Sequence, residues 1–299
     1  MRASRALRSA LLSVALVVSI GVPAREAAAA SATENGWSYL IDKLQRDGVD
    51  RAWAREVFRD PRVPQFTILE FGLYPGETSN LYRGFRTATS VARARQCRAR
   101  YAAELESAQK RFNVDASVVA AIFHVETSCG HNRGSHVALW RLARLAMANE
   151  PENLRMNLAR HLRGAPASRR AQIDARTRER GKYLEDTFYP EVLATFRLAQ
   201  REKLDPLGIL GSGSGAFGIP QFLPSSYLRY GVDGNGNGRI SLHEPADAAH
   251  SAANYLSGHG WRDDMSSTEK RTVIWTYNRS GAYIDTVLAL SDSIRRGRN

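Results

Sequence analysis

The chain has 299 residues and carries 42 Lys and Arg against 30 Asp and Glu, a formal net charge of +12. Such a surplus concentrates polyanions around the protein without choosing among nucleic acid, anionic lipid and cell wall. No apolar run beyond the N-terminal one is long enough to span a bilayer.

The N-terminus narrows the choice. Arg2, Arg5 and Arg8 precede an apolar run over residues 10–22 and then a stretch of small residues, the order of a secretory signal and not of a fold element. Both Val22-Pro23-Ala24 and Ala28-Ala29-Ala30 suit the cut. Removing residues 1–30 takes away four arginines and one glutamate, which leaves a formal charge of +9 on a mature chain beginning near Ser31. No cysteine follows the apolar run, so a lipid anchor is not expected. The mature protein is expected to be a soluble monomer in the periplasm or outside the cell. Export sets nucleic acid aside and leaves the anionic wall as the simplest polyanion.

Most of the mature chain shows apolar residues every three or four positions, which predicts a mainly α fold. Residues 31–110 read as an N-terminal helical region with helices at 36–48, 51–58 and 88–112. Within it, residues 59–86 are rich in Pro, Gly and aromatics and read as an irregular arm that wraps the core or lines a groove. Residues 111–299 read as the core, with helices at 115–129, 137–148, 152–163, 167–181, 185–202, 224–230, 245–258, 266–276 and 281–294. The polar, basic stretch 162–183 predicts an exposed helix and loop. Cys97 and Cys129 are the only cysteines. In an oxidising compartment they are expected to form one bridge, with two buried thiols as the alternative.

Between Asp115, a plausible N-cap, and Gly130, a plausible stop, lies a helix with an ionisable residue on its apolar stripe. Val119, Ile122, Phe123 and Glu126 fall at i, i+3, i+4 and i+7. A carboxyl group facing inward there has its protonated form favoured, which suits it to donate a proton near neutral pH. A structural glutamate paired with an arginine is the alternative.

Residues 233–244 present oxygen donors at Asp233, Asn235, Asn237, Ser241 and Glu244, with Gly238 at the sharp turn and Arg239 offering its main-chain carbonyl. These offsets are those of an EF-hand-like calcium loop. Only Asp233 and Glu244 are charged, which predicts modest affinity and a structural Ca2+. The other reading is a Gly/Asn turn without metal. Pro245 then suits the first turn of a following helix. His124, Cys129, His131 and His136 cluster in sequence but lack HExxH or paired CxxC spacing, which argues against zinc.

With these residues in hand, the chain resembles the lytic murein transglycosylase B family. The matching pieces are VETSCG at 125–130, GAFGIPQFLPSSY at 215–227, the calcium loop running into EPADAAHSAANYLSGHGW at 244–261, and YNRSGAY at 277–283. Their order and spacing cover about half of the mature chain. The resemblance implies a lysozyme-like helical core and a single acid/base glutamate, Glu126. It implies non-hydrolytic cleavage of the bond between N-acetylmuramic acid and N-acetylglucosamine in peptidoglycan, leaving 1,6-anhydromuramoyl ends. It also implies that Ser212 and Gln221 orient the glutamate or the substrate's acetamido group, and that Tyr255, Tyr277, Asn278 and Tyr283 line the cleft. A hydrolytic muramidase and a non-catalytic wall-binding protein are the competing readings.

The chain departs from the family's pattern at three places. Only about sixteen residues separate HGW from the Tyr277-Asn278 pair, so a small β-rich insertion is absent and a more open cleft is expected. An arginine pair common after the catalytic helix is replaced by Asn149-Glu150-Pro151-Glu152-Asn153. Pro220 stands where glycine is frequent.

Overall fold

The computed structural model describes residues 34–74 and 79–297. The predicted secretory signal, residues 1–30, lies outside the described residues.

The chain folds as a succession of helices. Helices α1 (Ser38–Arg46) and α2 (Arg51–Arg59) are followed by an irregular segment and a 3-10 helix (Ser79–Arg86). Then come α3 (Ala88–Arg100), α4 (Ala102–Phe112), α5 (Ala116–Thr127), α6 (Ala138–Ala146), α7 (Pro151–Leu162) and α8 (Ala167–Glu202). After α9 (Pro224–Tyr230), α10 (Pro245–Gly258) and α11 (Ser267–Tyr277), α12 (Gly281–Arg296) ends the described chain. Two short antiparallel strands, β1 (His136–Val137) and β2 (Leu210–Gly211), form one small sheet. The mainly α architecture agrees with the periodicity of the sequence.

Two apolar clusters organise these helices. The larger surrounds α5 and joins α3, α4, α10 and α12 through residues such as Val119, Phe123, Ala252 and Val287. The second joins α1 and α2 to α6 and α8, with Trp37, Phe58, Leu142 and Phe196 wholly or almost wholly buried. Burying side chains of this size contributes about 1.5–3 kcal/mol each, before the entropy of ordering them.

Two local differences from the periodicity have physical causes. The expected helix 88–112 breaks at Tyr101, whose backbone leaves helical geometry while its hydroxyl donates to the Cys129 carbonyl at 3.2 Å. The break lets α3 pack on α5 and α4 pack on α10. The expected pair 167–181 and 185–202 is one 36-residue helix, α8. Gly181 is not a stop there. A side chain at that position would press on Leu154 and the Ala148 carbonyl, so glycine lets α7 and the turn before it approach. Pro190 leaves the Asp186 carbonyl without its usual donor, but both residues lie on the exposed face, where solvent satisfies it.

The irregular arm is anchored by amide side chains of α7. The Leu69 N–H donates to Asn153 Oδ1 at 2.7 Å, Asn157 Nδ2 donates to the Leu69 carbonyl at 2.9 Å, and the Phe71 N–H donates to Asn157 Oδ1 at 3.2 Å. Asn153 and Asn157 are four residues apart on one helical face and imitate the edge of a sheet. Asn153, at one of the positions where the family's arginine pair is missing, thus holds the arm.

Candidate active site

Helix α5 begins as the sequence predicts: Asp115 Oδ1 accepts the Ser117 N–H at 2.6 Å. Every residue from 116 to 124 is buried, so the helix is enclosed on all sides and its apolar stripe does not by itself mark an inner face. The exit turn is left-handed over three consecutive residues, Ser128, Cys129 and Gly130. Thr127 fixes that turn. Its hydroxyl lies 3.0 Å from the Ile219 carbonyl and 3.1 Å from the Phe123 carbonyl, and it accepts the Gly130 N–H at 2.9 Å.

Glu126 is half-buried: its carboxyl is surrounded by protein atoms yet retains a path to solvent. Tyr283, 1% exposed, donates its hydroxyl to Glu126 Oε1 at 2.7 Å. Burial pushes the carboxyl up from 4.5 to about 7, and the Tyr283 hydrogen bond, which favours the ionised form, opposes only part of that rise. The Tyr283 phenol is itself pushed well above its ordinary value by burial and by the adjacent Glu126, so it stays a donor. Ser280 caps the helix that carries it, accepting the Tyr283 N–H at 3.2 Å.

An aromatic wall stands beside the carboxyl. Tyr277 lies near enough to Glu126 for the carboxylate to raise its phenol, after burial as the larger cause. Its ring centroid is 6.5 Å from that of Tyr283, nearly parallel to it, and 4.9 Å from that of Tyr255. The Tyr277 hydroxyl donates to the Pro220 carbonyl at 2.5 Å, and the Tyr255 hydroxyl donates to the Thr276 carbonyl at 2.6 Å. Asn278 caps the end of α11 in extended geometry, its N–H donating to the Ile274 carbonyl. Aromatic faces with fixed polar edges suit sugar rings.

Ser212 and Gln221 do not hydrogen-bond to Glu126. Ser212 Oγ accepts the Ala216 N–H at 3.2 Å and the Ser214 N–H at 3.3 Å, which shapes its own loop. Gln221 has a left-handed backbone with φ 51°, and its amide donates to the Gly218 carbonyl at 2.9 Å and the Arg133 carbonyl at 3.3 Å. Gly218 permits this turn: with φ +76°, a Cβ there would lie 2.3 Å from Leu242 Cβ. The loop from β2 to α9 is thus fastened to the α5 exit by Thr127 and to the aromatic wall by Pro220.

Phe222, Tyr82 and Thr127 join the site without having been singled out by the sequence. Phe222 packs at 5.5 Å from Tyr255 and 6.0 Å from Tyr277. Tyr82, from the 3-10 helix of the arm, packs edge-on at 5.9 Å from Tyr283. The aromatic content of residues 59–86 was the available signal for Tyr82. Cys97 and Cys129 form a disulfide that joins α3 to the α5 exit turn across 32 residues.

The 233–244 loop closes on itself. Asp233 Oδ1 accepts the Gly236 N–H at 2.7 Å, and its Oδ2 accepts the Gly238 N–H at 2.7 Å. These bonds hold its carboxyl below the usual carboxylate range, the Gly238 N–H most of all. The Asn235 amide reaches Glu244 Oε2 at 2.6 Å, and that of Asn237 lies 3.4 Å from the same oxygen. Arg239 N–H donates to Asn237 Oδ1, and the Ser241 carbonyl accepts the Glu244 N–H at 2.8 Å. Asp247, fully buried on α10, pins both halves of the loop by accepting the Gly234 N–H at 2.8 Å and the Ser241 N–H at 2.7 Å. Among the described residues no three His, Cys, Asp or Glu side chains gather as a metal-binding group.

Comparison with known proteins adds to this geometry. The family described as "Transglycosylase SLT domain" matches residues 32–271. A 75-residue segment is 49% identical to the membrane-bound lytic murein transglycosylase B of Escherichia coli K12, and that match spans 25% of this chain and 21% of the relative. Among solved structures, the soluble lytic transglycosylase SltB1 of Pseudomonas aeruginosa superimposes with a TM-score of 0.66 at 23% identity, covering 88% of this chain and 99% of that one. The E. coli lytic transglycosylase Slt35 in complex with calcium gives 0.64 at 22% identity, covering 88% and 93%. At these identities the structural likeness shows the fold, that of the lysozyme-like lytic transglycosylases.

Proposed function

Because the chain belongs to the transglycosylase SLT-domain family, we propose that it is a lytic transglycosylase that cleaves the MurNAc–GlcNAc β-1,4 bond of peptidoglycan with Glu126 as its one acid/base. The observation that carries this reading is the half-buried carboxyl held near neutrality beside an aromatic wall. Tyr283 donates to Oε1, which leaves Oε2 as the oxygen that carries the proton. In the first step that proton passes to the glycosidic oxygen, the C1–O bond breaks, and Glu126 is left ionised. In the second step the carboxylate takes the proton of the muramoyl C6 hydroxyl as its oxygen bonds to C1, closing the 1,6-anhydro ring and restoring the acid. Proton and electron pairs balance without water. One carboxyl group serves both steps, unlike the paired carboxylates of most glycosidases. Tyr255, Tyr277 and Asn278 line the sugar path, and Ser212 and Gln221 shape the loop facing it.

Mass spectrometry of digested peptidoglycan tests the reading. Anhydromuramoyl ends support it; reducing ends indicate a hydrolytic muramidase, and binding without any soluble product indicates a wall-binding protein.

The 233–244 loop is suited to a structural calcium ion. Asp233, Asn235, Asn237, the Arg239 carbonyl, Ser241 and Glu244 supply hard oxygens at the required offsets. The Asn235 and Asn237 side-chain N–H groups bond Glu244, so both amides would turn to present their oxygens to the ion. Such an ion would brace the loop against α10. No helix among the described residues is long and apolar enough to cross a membrane. With the predicted secretory signal, this supports action in the periplasm or outside the cell.

A further inference from the structure

Helix α5 has a second concavity on the side away from Glu126. Residues 124 and 126 stand about 200° apart around a helix, and His124 accordingly faces α3, with its Nε2 2.8 Å from Ser90 Oγ. Beside it, α3 and the α5 exit turn enclose a cavity of about 390 Å³ whose lining includes Arg93, Gln96, Arg100 and His131 and no acidic side chain.

The cations there are uncompensated. Helix α3 carries four arginines and no acid. Arg95 donates to the Ser293 carbonyl and Arg98 to Glu106, whereas neither Arg93 nor Arg100 pairs with a carboxylate among the described residues. Arg100 Nη1 lies 3.5 Å from His131 Nε2, and His131 Nδ1 lies 2.6 Å from the Ser128 carbonyl. The Cys97–Cys129 disulfide ties the two walls together.

Spacing decides what fits. Arg93, Gln96 and Arg100 fall at i, i+3 and i+7 of one helical face, with the arginine backbones about 10 Å apart along the axis. A compact phosphate needs donors converging on one point. Two separated guanidiniums with a donor-and-acceptor amide between them match an extended peptide bearing more than one carboxylate. We propose that this pocket binds the carboxylate-bearing stem peptides of peptidoglycan, as a second attachment to the polymer that the Glu126 site cuts. It rests on the peptidoglycan reading above.

The test is binding, not turnover. Full-length Glu126→Gln protein is sedimented with intact peptidoglycan and with glycan strands stripped of peptide by an amidase, and compared with the same protein also carrying Arg93→Gln and Arg100→Gln. Both arginines are exposed, so the fold is retained, which circular dichroism checks. Losing both should weaken binding to intact peptidoglycan about tenfold and leave binding to stripped glycan unchanged. Equal weakening on both materials, or none on either, overturns the proposal, as does displacement of intact peptidoglycan by inorganic phosphate at low millimolar concentration. If Glu126→Gln binds neither material, the peptidoglycan reading itself fails.

Discussion

Replacing Glu126 with Gln should stabilise the protein at alkaline pH and not at acid pH. Its carboxyl stands at about 7 in the fold against 4.5 when unperturbed. For an acid whose folded value is raised, both states are protonated below about pH 4.5 and no penalty exists. Between 4.5 and 7 the unfolded chain ionises first, so stability falls as pH rises, and the penalty is complete above 7. At about 1.4 kcal/mol per unit the upper bound is roughly 3 kcal/mol. Solvent reaching the half-buried carboxyl lowers this to about 1–2 kcal/mol. Glutamine keeps the oxygen that accepts from Tyr283, so the variant removes the charge and little else. Urea unfolding of both proteins at pH 4.5 and pH 8 measures the difference directly, and lysis should be abolished in the same variant. An identical stability difference at both pH values refutes the claim that burial keeps this carboxyl neutral.

Three further outcomes follow from the same geometry. Tyr283→Phe removes the one bond that favours ionised Glu126; the alkaline limb of the kcat/KM profile should therefore move upward by about one unit, and a downward or absent shift rejects the assigned role. Replacing Cys97 and Cys129 together by alanine opens a loop closed across 32 residues and should cost about 3–4 kcal/mol in denaturant unfolding; an unchanged midpoint would show that the bridge adds nothing. Chelation should lower Tm in wild type but not in Asp233→Ala, with free calcium at a hundred times Kd contributing about 2.7 kcal/mol; equal melting of wild type with and without chelator argues against a bound ion.

The helical composition, the Asp115 cap and the donor spacing of 233–244 were legible in the sequence because each depends on neighbours a few residues away. So was the isolation of Glu126 on a strongly apolar segment, although the segment is buried on every face and periodicity alone could not say which direction was the site. Gly181 stands at the end of an expected helix along the chain; across space it is the place where two helices touch. Asp247 shows the same limit, since nothing in its own segment announces that its two oxygens fasten loop residues thirteen and six positions earlier.

Local chemistry therefore marked Glu126 as a candidate acid and residues 233–244 as a candidate ion loop, and it was the family resemblance that favoured the acid over a structural glutamate. Only the tertiary structure decided that Tyr283, 157 residues away, would hold one oxygen of Glu126, and that Tyr82 of the arm would pack behind it. The reason is that a carboxyl group's proton affinity is set by the atoms enclosing it. Those atoms come from helices distant in sequence, brought together by the burial of apolar surface.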